Sequence, residues 1–555
     1  MATVTMAFPG GTYLPEFVDY NPSLGELLDL HNAALVGTPT ATRIVFQLQN
    51  GLVLRLNGTG FALDANGWPT AGTLTGVQLF RADGTTVQQT VTGLNLPLVD
   101  VYDSSEVYQY EDGFDPWGFN RWLMNGNDTV NGSTGSDDVY GHAGNDILKG
   151  GSGDDFLEGG PGKDTYDGGA GFDTLSFQEA YFDPTALRGV VLNATVGTVI
   201  DPWGNSETFK NVESFRGTQF ADTLNGSSLD EHFMGMGGRD KIDGKGGFDE
   251  VRYDRDDRRG GLDGVTVNLT TGLAIDGFGR QDTLVSIERV RGTEADDTLI
   301  GSSAANRLRG LGGDDVLDGR AGADDMRGGW GNDTYVVDNA GDTVDENPGS
   351  DFADGTDTVK SAITFNLADT TKVFGAVERL TLIGSSAING SGNSLSNIIT
   401  GNTANNSLAG SSGNDTLSGS SGNDTLNGGT GDDTLIGGSG KDTLTGAAGK
   451  DAFRFNAALS ASTNVDTVTD FSVADDTIQL ENAIFTALTA TGTLAVAAFR
   501  ANTTGAAGDS SDRIIYETDT GRLLYDADGT GATAGIHFAT LTAGLALTNA
   551  DFSVI

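Results

Sequence analysis

The chain contains no cysteine, so neither a disulfide framework nor a cysteine nucleophile is open to it. Histidine is nearly absent as well. His31, His142, His232 and His537 lie far apart, and none begins the His-Glu-x-x-His motif of a zinc protease. No Gly-x-Ser-x-Gly elbow occurs, which removes the usual setting of a lipase nucleophile. No run of about 18 apolar residues exists, so no transmembrane helix is expected. Residues 1–9 lack a basic region leading into an apolar run, so no standard N-terminal secretory signal is expected. Positive charge is scarce: 32 Lys and Arg face 77 Asp and Glu, a net charge of −45 over 555 residues. Such a charge opposes compaction and disfavours nucleic acid or an anionic membrane as partner. Bound divalent cations would relieve it.

Glycine, by contrast, is abundant, with 83 residues, and it frames a repeat. An aspartate returns every nine residues at Asp128, Asp137, Asp146, Asp155, Asp164 and Asp173. The same frame runs through Asp222, Glu231, Asp240 and Asp249, and through Asp297, Asn306, Asp315, Asp324 and Asp333. It runs again through Asn397, Asn406, Asp415, Asp424, Asp433, Asp442 and Asp451. A glycine-aspartate nonapeptide with one apolar position is the pattern of a calcium-loaded parallel β-roll. Glycines permit positive φ and close approach of successive turns. Aspartate and loop carbonyls supply the hard oxygens that Ca²⁺ prefers. All the in-frame aspartates are therefore expected to be calcium ligands, with Glu231, Asn306, Asn397 and Asn406 the departures and the shifted glycines Gly237-Gly238 marking the unit of Asp240 as irregular. Six residues of each unit should form a loop and three a strand. Two units would make a coil of about 18 residues, so Asp128, Asp146 and Asp164 would line one edge and Asp137, Asp155 and Asp173 the other. The apolar positions (Val130, Val139, Leu148, Leu157, Tyr166 and Leu175 in the first run) would fill a thin core. One such side chain per nine ordered backbones is little, so calcium is expected to be structural, its binding energy acting as folding energy.

The expected fold class is all-β, with calcium rolls separated by β inserts. A 75-residue offset relates Gly189-Val-Val-Leu-Asn193 to Gly264-Val-Thr-Val-Asn268, Ile200 to Ile275, Val212-Glu213 to Ile287-Glu288, and Asp222 to Asp297. The unit duplicated is an insert followed by a roll. Alternation at Val265, Val267 and Leu269 reads as strand, and Val377-Glu-Arg-Leu-Thr-Leu382 reads as a related strand before the third roll. Runs end in strands with a second large apolar residue, at Phe177, Tyr253, Val337 and Phe455, as expected of capping turns that cover a solenoid's end. The expected order is an N-terminal β-rich domain (1–124), a first roll (125–177), two insert-plus-roll copies (178–253 and 254–337), an insert (338–396), a third roll (397–455) and a C-terminal module (456–555). In the first domain, residues 16–35 are compatible with a short helix, Asp83-Gly84 with a hairpin turn, and 112–122, with Trp117 and Trp122, with an apolar junction sealing the first roll.

In these units, as in Gly428-Gly-Thr-Gly-Asp-Asp433-Thr-Leu-Ile436, the chain resembles the RTX (repeats-in-toxin) family of haemolysin-type calcium-binding repeats. The resemblance implies a parallel β-roll, calcium-dependent folding and export by a type I secretion system. Asp466-Thr-Val-Thr-Asp-Phe-Ser-Val-Ala-Asp-Asp476-Thr-Ile-Gln-Leu480, Arg513-Ile-Ile-Tyr516 and Leu523-Leu-Tyr-Asp-Ala-Asp-Gly529 look like serralysin-type C-terminal modules. The ending Asp551-Phe-Ser-Val-Ile555 is similar to an uncleaved type I signal. His142 is expected to point to solvent, His31 to be a surface or capping residue, the Asp249–Asp257 cluster with its arginines to be a solvated charged loop, and Asp526-Ala-Asp528-Gly529 to hint at one more calcium loop. No catalytic residue is expected. The reading is a secreted, extracellular, non-enzymatic calcium protein with a structural, S-layer-like, matrix or adhesive role, its partners being calcium, the type I apparatus, and a surface polysaccharide or further copies of itself. The alternative is a secreted hydrolase or lyase whose catalytic domain, within residues 1–124, carries no familiar motif.

Overall fold

The computed structural model describes residues 3–6, 34–47, 53–63, 69–80, 87–97, 126–346 and 355–555. Among these the only helical elements are short 3-10 turns, and everything else regular is strand. The chain divides into two units: residues 1–263 with 271–289, and residues 264–270 with 290–555.

In the first unit, Thr129–Asn131, Ile147–Ser152 and Thr165–Ala170 stack in parallel, with Val130, Leu148 and Tyr166 in register. The alternate repeats, Asp138–Tyr140, Phe156–Glu158 and Thr174–Ser176, stack in a second sheet with Val139, Leu157 and Leu175 in register. All six side chains are buried. The 18-residue coil and its two edges are thus as the spacing predicts. Strand length is not uniformly three. Ile147–Ser152 and Thr165–Ala170 run on through their glycine pairs, with Gly151 opposite Gly169. Gly169 sits at φ +114°, and a Cβ there would lie 2.1 Å from the Gly151 carbonyl oxygen, so at this position a side chain would collide with the neighbouring coil.

The insert is spliced into this sheet. Val191–Asn193, Thr198–Ile200 and Ser206–Lys210 form an antiparallel meander. Its last strand lies parallel on Thr165–Ala170, and its first lies parallel on Thr223–Asn225. Ser214–Arg216 joins the other sheet between Thr174–Ser176 and His232–Met234. The expectation of capping strands is therefore corrected. Phe177, Tyr253, Val337 and Phe455 are buried, but Thr174–Ser176, Thr334–Val337 and Ala452–Phe455 each pair onward with a later strand. The extra apolar residue thickens the core where the repeat gives way to other sequence; it does not close an end. Leu273–Ile275 and Gln281–Val285 repeat the second hairpin of that meander 75 residues later.

The N-terminal region is an antiparallel meander of Ala34–Leu35, Arg43–Gln47, Val53–Leu63, Pro69–Phe80 and Val87–Pro97. Ile44, Phe46, Leu54, Leu56, Leu74, Val77 and Phe80 are buried in it. Phe80 pairs with Val87 in antiparallel register, the arrangement the Asp83-Gly84 hairpin calls for, although residues 81–86 lie outside the described residues, as do 16–33, 112–122 and His31. Thr3–Met6 pairs with Val87–Pro97 on one side and in parallel with Thr129–Asn131 on the other, joining meander to roll.

In the second unit one sheet steps from Thr298–Ile300 through Val316–Asp318, Thr334–Val337, Thr358–Ser361, Arg379–Leu382, Ile398–Thr400 and Thr416–Ser418 to Thr434–Ile436, all parallel. The 338–396 segment thus carries the sheet across instead of interrupting it. Ser407–Ser412, Thr425–Thr430 and Thr443–Ala448 stack in a further sheet. In the C-terminal module, Ile514–Glu517, Arg522–Tyr525 and Ile536–Thr540 are antiparallel, and Phe455, Phe485, Tyr525 and Phe538 pack edge to face. Phe552–Val554 lies parallel on Thr477–Leu480.

Candidate metal centre

The rolls hold their carboxylates in two columns. In each, the backbone N–H of one rung donates to Oδ1 of the aspartate 18 residues later. Asp137 donates to Asp155, Asp146 to Asp164, Asp155 to Asp173, Asp222 to Asp240, Asp297 to Asp315, Asp315 to Asp333, Asp415 to Asp433 and Asp424 to Asp442, each at 2.8 Å. Asp128 donates to Asp146 at 2.6 Å, Glu231 to Asp249 at 2.9 Å and Asp433 to Asp451 at 3.0 Å. Asn306 donates to Asp324, Asn397 to Asp415 and Asn406 to Asp424, each at 2.7 Å. Every in-frame rung is buried.

The second oxygen separates the rungs into two kinds. In Asp146, Asp155, Asp173, Asp240, Asp249, Asp315, Asp324, Asp333, Asp415, Asp424, Asp433, Asp442 and Asp451, Oδ2 is buried with no hydrogen-bond partner in the protein. It faces a glycine five residues earlier and, at Asp146, Asp155, Asp173, Asp249, Asp315, Asp415, Asp424 and Asp433, a carbonyl oxygen of the next coil. A Cβ on Gly150 would lie 2.2 Å from Asp155 Oδ2 and 2.5 Å from the Gly168 oxygen; on Gly428, 2.2 Å from Asp433 Oδ2 and 2.8 Å from the Gly446 oxygen. An anionic oxygen and a neutral one, held in a cradle too small for a methyl group, match the oxygen-only donor set of Ca²⁺. Without a cation the columns are costly. Burial pushes Asp146 up to about 8, with Asp164 and Asp128 adding repulsion. It pushes Asp155 up to about 7 and Asp315 up to about 9.

The opening rungs differ. The residue four positions earlier donates its N–H to the carboxylate or amide oxygen: Ser133 to Asp137 at 2.5 Å, Thr218 to Asp222 at 2.8 Å, Ser227 to Glu231 at 3.0 Å and Thr293 to Asp297 at 2.7 Å. Ser302 serves Asn306, Asn393 serves Asn397 and Asn402 serves Asn406 in the same way. Before the other rungs that residue adopts a left-handed φ instead, whether it is glycine (Gly151 at 113°, Gly429 at 109°) or not (His142 at 62°, Met236 at 63°, Lys245 at 70°, Leu311 at 97°, Ala447 at 71°). One backbone rotation thus decides whether a protein N–H or something else meets the second oxygen. Asparagine suits an opening rung because its Nδ2 can donate to a preceding carbonyl, as Asn406 does to Ile388 at 2.6 Å. Asp164 is a further case, its Oδ2 lying 3.4 Å from the Tyr166 hydroxyl.

Where the frame breaks, the ladder continues through acids that the nine-residue spacing does not single out. Asp164 N–H donates to Glu207, Asp173 to Glu213, Asp240 to Asp282, Asp249 to Glu288 and Asp333 to Asp357, while Asp324 donates to Asp342, which still keeps the frame nine residues after Asp333. Asp442 donates to Asp466, and Asp451 to Asp476. The only sequence signal for these is the apolar-Glu pair before re-entry (Val212-Glu213, Ile287-Glu288, Val377-Glu378). Asp240, between Asp222 and Asp282, is pushed up to about 10 by burial and by both neighbours.

Two expectations near the columns are corrected. His142 is buried, not solvent-facing. Its left-handed backbone turns the ring inward, Nδ1 lying 3.6 Å from Glu179 and the ring stacking on Tyr140. The charged segment around Asp254 is only partly solvated: Asp256 is 1% exposed and accepts the Gly277 N–H at 3.1 Å, because the insert folds back over it. Asp526 accepts the N–H groups of Asp528 and Gly529, an Asx-type turn.

With this geometry in hand, the family profile of the RTX calcium-binding nonapeptide repeat matches residues 124–157, 140–175, 216–251, 300–335, 391–426 and 418–453. The chain carries RTX repeats. Their matched stretches coincide with the carboxylate columns, and RTX repeats bind Ca²⁺ as a structural ion. No curated protein matches the chain. Among solved structures, the extracellular lipase LipA from Serratia marcescens aligns over 78% of this chain and 40% of its own, at 14% identity and a TM-score of 0.15. The aligned part is thus well under half of that lipase.

Proposed function

We propose that this is a secreted, non-enzymatic calcium-binding protein whose RTX rolls fold on extracellular calcium and present a structural or adhesive surface, in a matrix or S-layer-like assembly or toward a surface polysaccharide. The observation that carries the reading is the series of buried Oδ2 atoms without protein partners, each in a glycine cradle. Those oxygens and the facing loop carbonyls would hold calcium, and the ion would supply the positive charge that lets the columns stay ionised. Extracellular calcium modules work at Kd on the order of 10⁻⁴–10⁻³ M, so such sites stay empty in a cytosol and fill outside.

This ordering also suits export through residues 456–555 as a type I signal module. Phe552 and Val554 are buried in the folded sheet, so a signal there has to be read before the fold forms. Deleting 456–555 should abolish export through a type I system; undiminished secretion would refute that assignment. The non-enzymatic reading is tested by screening the calcium-loaded protein against hydrolase and lyase substrates. Turnover abolished by substitutions within residues 1–124 would replace it with the enzyme alternative.

A further inference from the structure

Gly310, Gly328 and Glu346 occupy one register position in successive coils: Arg309 pairs with Arg327, and Arg327 with Asp345. Where the first two coils have the small residue that leaves room for a rung's second oxygen, the third has a glutamate. It ends the strand Thr343–Glu346, whose burial alternates so that Val344 and Glu346 point inward, and it is fully buried. It meets two rungs there. Asp333 accepts the Asp315 N–H on Oδ1 at 2.8 Å, and Asp357 accepts the Asp333 N–H at 2.8 Å. Asp333 Oδ2 is the second, independent sign of a ligand: the side chain is 1% exposed, and this oxygen has no protein donor. One oxygen from each of the three carboxylates lies within 4.8 Å of the others. A Cβ on Gly328 would sit 1.9 Å from Asp333 Oδ2 and 2.3 Å from the Tyr335 hydroxyl. That hydroxyl accepts the Gly328 N–H at 2.6 Å and lies beside the Glu346 carboxylate.

We propose that Asp333, Glu346 and Asp357 form a divalent-cation site of a second kind, built on three carboxylates where the ladder sites offer fewer, and that it fills first. Affinity of oxygen sites for calcium rises with the count of charged ligands, and three carboxylates brought this close in a dry interior repel one another unless a cation sits among them. The proposal rests on the calcium reading for Asp333 and adds Glu346 and Asp357 to it. Its consequence is an order of events: an ion here fixes the segment where repeat passes into insert, before the weaker cradles fill.

Tyr335 supplies the probe, since a tyrosine touching the ligand set sensitises Tb³⁺ emission. Full-length protein should bind one ion at least tenfold more tightly than the bulk, seen as Tyr-sensitised Tb³⁺ emission and as one ion by equilibrium dialysis, before the circular dichroism change at higher calcium. Glu346→Gln should lose that ion and keep the later transition. Tyr335→Phe should keep the ion by dialysis and lose the tight-phase emission, which also separates this site from Tyr166 and Tyr253. A Glu346→Gln protein with the tight ion intact, or unchanged tight-phase emission in Tyr335→Phe, overturns the proposal. If Glu346→Gln fails to fold in excess calcium, Tyr335→Phe alone decides. If the tight ion is present but the later transition is absent, the ladder reading fails and this site stands.

Discussion

Asp222 and Asp433 occupy the same position of the same nonapeptide and are each followed by Thr-Leu. Each accepts a backbone N–H on Oδ1, Asp222 from Val190 and Asp433 from Asp415. They differ chiefly at the second oxygen. Asp222 receives the Thr218 N–H there, and the Thr218 hydroxyl lies 3.1 Å from its Oδ1. Asp433 receives nothing from the protein, because Gly429 four residues before it has a left-handed φ that turns its N–H away. The nonapeptide frame therefore says where a carboxylate stands, and the residue four positions earlier says what it is for. With a local donor the carboxylate is a turn-closing acceptor at the start of a run; without one its second oxygen is left open to a cation.

The comparison can be broken most forcefully at the ligand rung. Asp433→Asn keeps the Oδ1 acceptor and removes the charge, and should raise the calcium midpoint of folding by about tenfold, a cost of roughly 1.4 kcal/mol. Asp222→Asn leaves one acceptor for two N–H donors, since Val190 meets Oδ1 and Thr218 meets Oδ2, so it should weaken the fold without changing the number of ions bound. Loss of a bound ion in both variants, or in neither, would show that the second oxygen does not distinguish them.

Acidification probes the same oxygens collectively. Asp155, Asp249, Asp424 and Asp433 are each raised to about 7, chiefly by burial. A carboxyl whose folded value lies above its unfolded one contributes stability below the unfolded value and loses it as pH rises through the folded one. The calcium-free chain should therefore gain β signal by circular dichroism as pH falls from 8 toward 5. Saturating calcium should reverse the trend, because protons then compete with the ion.

How much of this the sequence displayed depends on the span of the interaction. The 18-residue coil, the two edges and the core positions follow from a period that repeats without slip, and all are present. The opening rungs were half legible: Ser, Thr or Asn stands four residues before each, but its meaning depends on a backbone angle. The spliced rungs were not legible as rungs. Glu207 serves Asp164 across 43 residues and Asp282 serves Asp240 across 42, and no local pattern encodes a partner that only a folded meander brings back. The same splice explains why strands read as caps at Phe177 and Phe455 turn out to be mid-sheet.

The smallest effect concerns strain. Ala447 holds a left-handed φ of 71° before Asp451 and is exposed, so Ala447→Gly should lower the calcium midpoint slightly. Relief of about 1 kcal/mol at a left-handed site is partly offset by glycine's greater chain entropy. The equivalent change at an opening rung, Thr218→Gly, should go the other way, since it removes the hydroxyl contact and frees the turn.

The most direct test is a calcium titration of the full-length protein, following far-UV circular dichroism while bound ions are counted. The account predicts a chain with little ordered β structure in excess chelator. Strand signal should appear cooperatively at about millimolar calcium, with an ion count that tracks the rungs whose second oxygen lacks a protein donor, and chelator should reverse it. A chain equally ordered in excess chelator would contradict it.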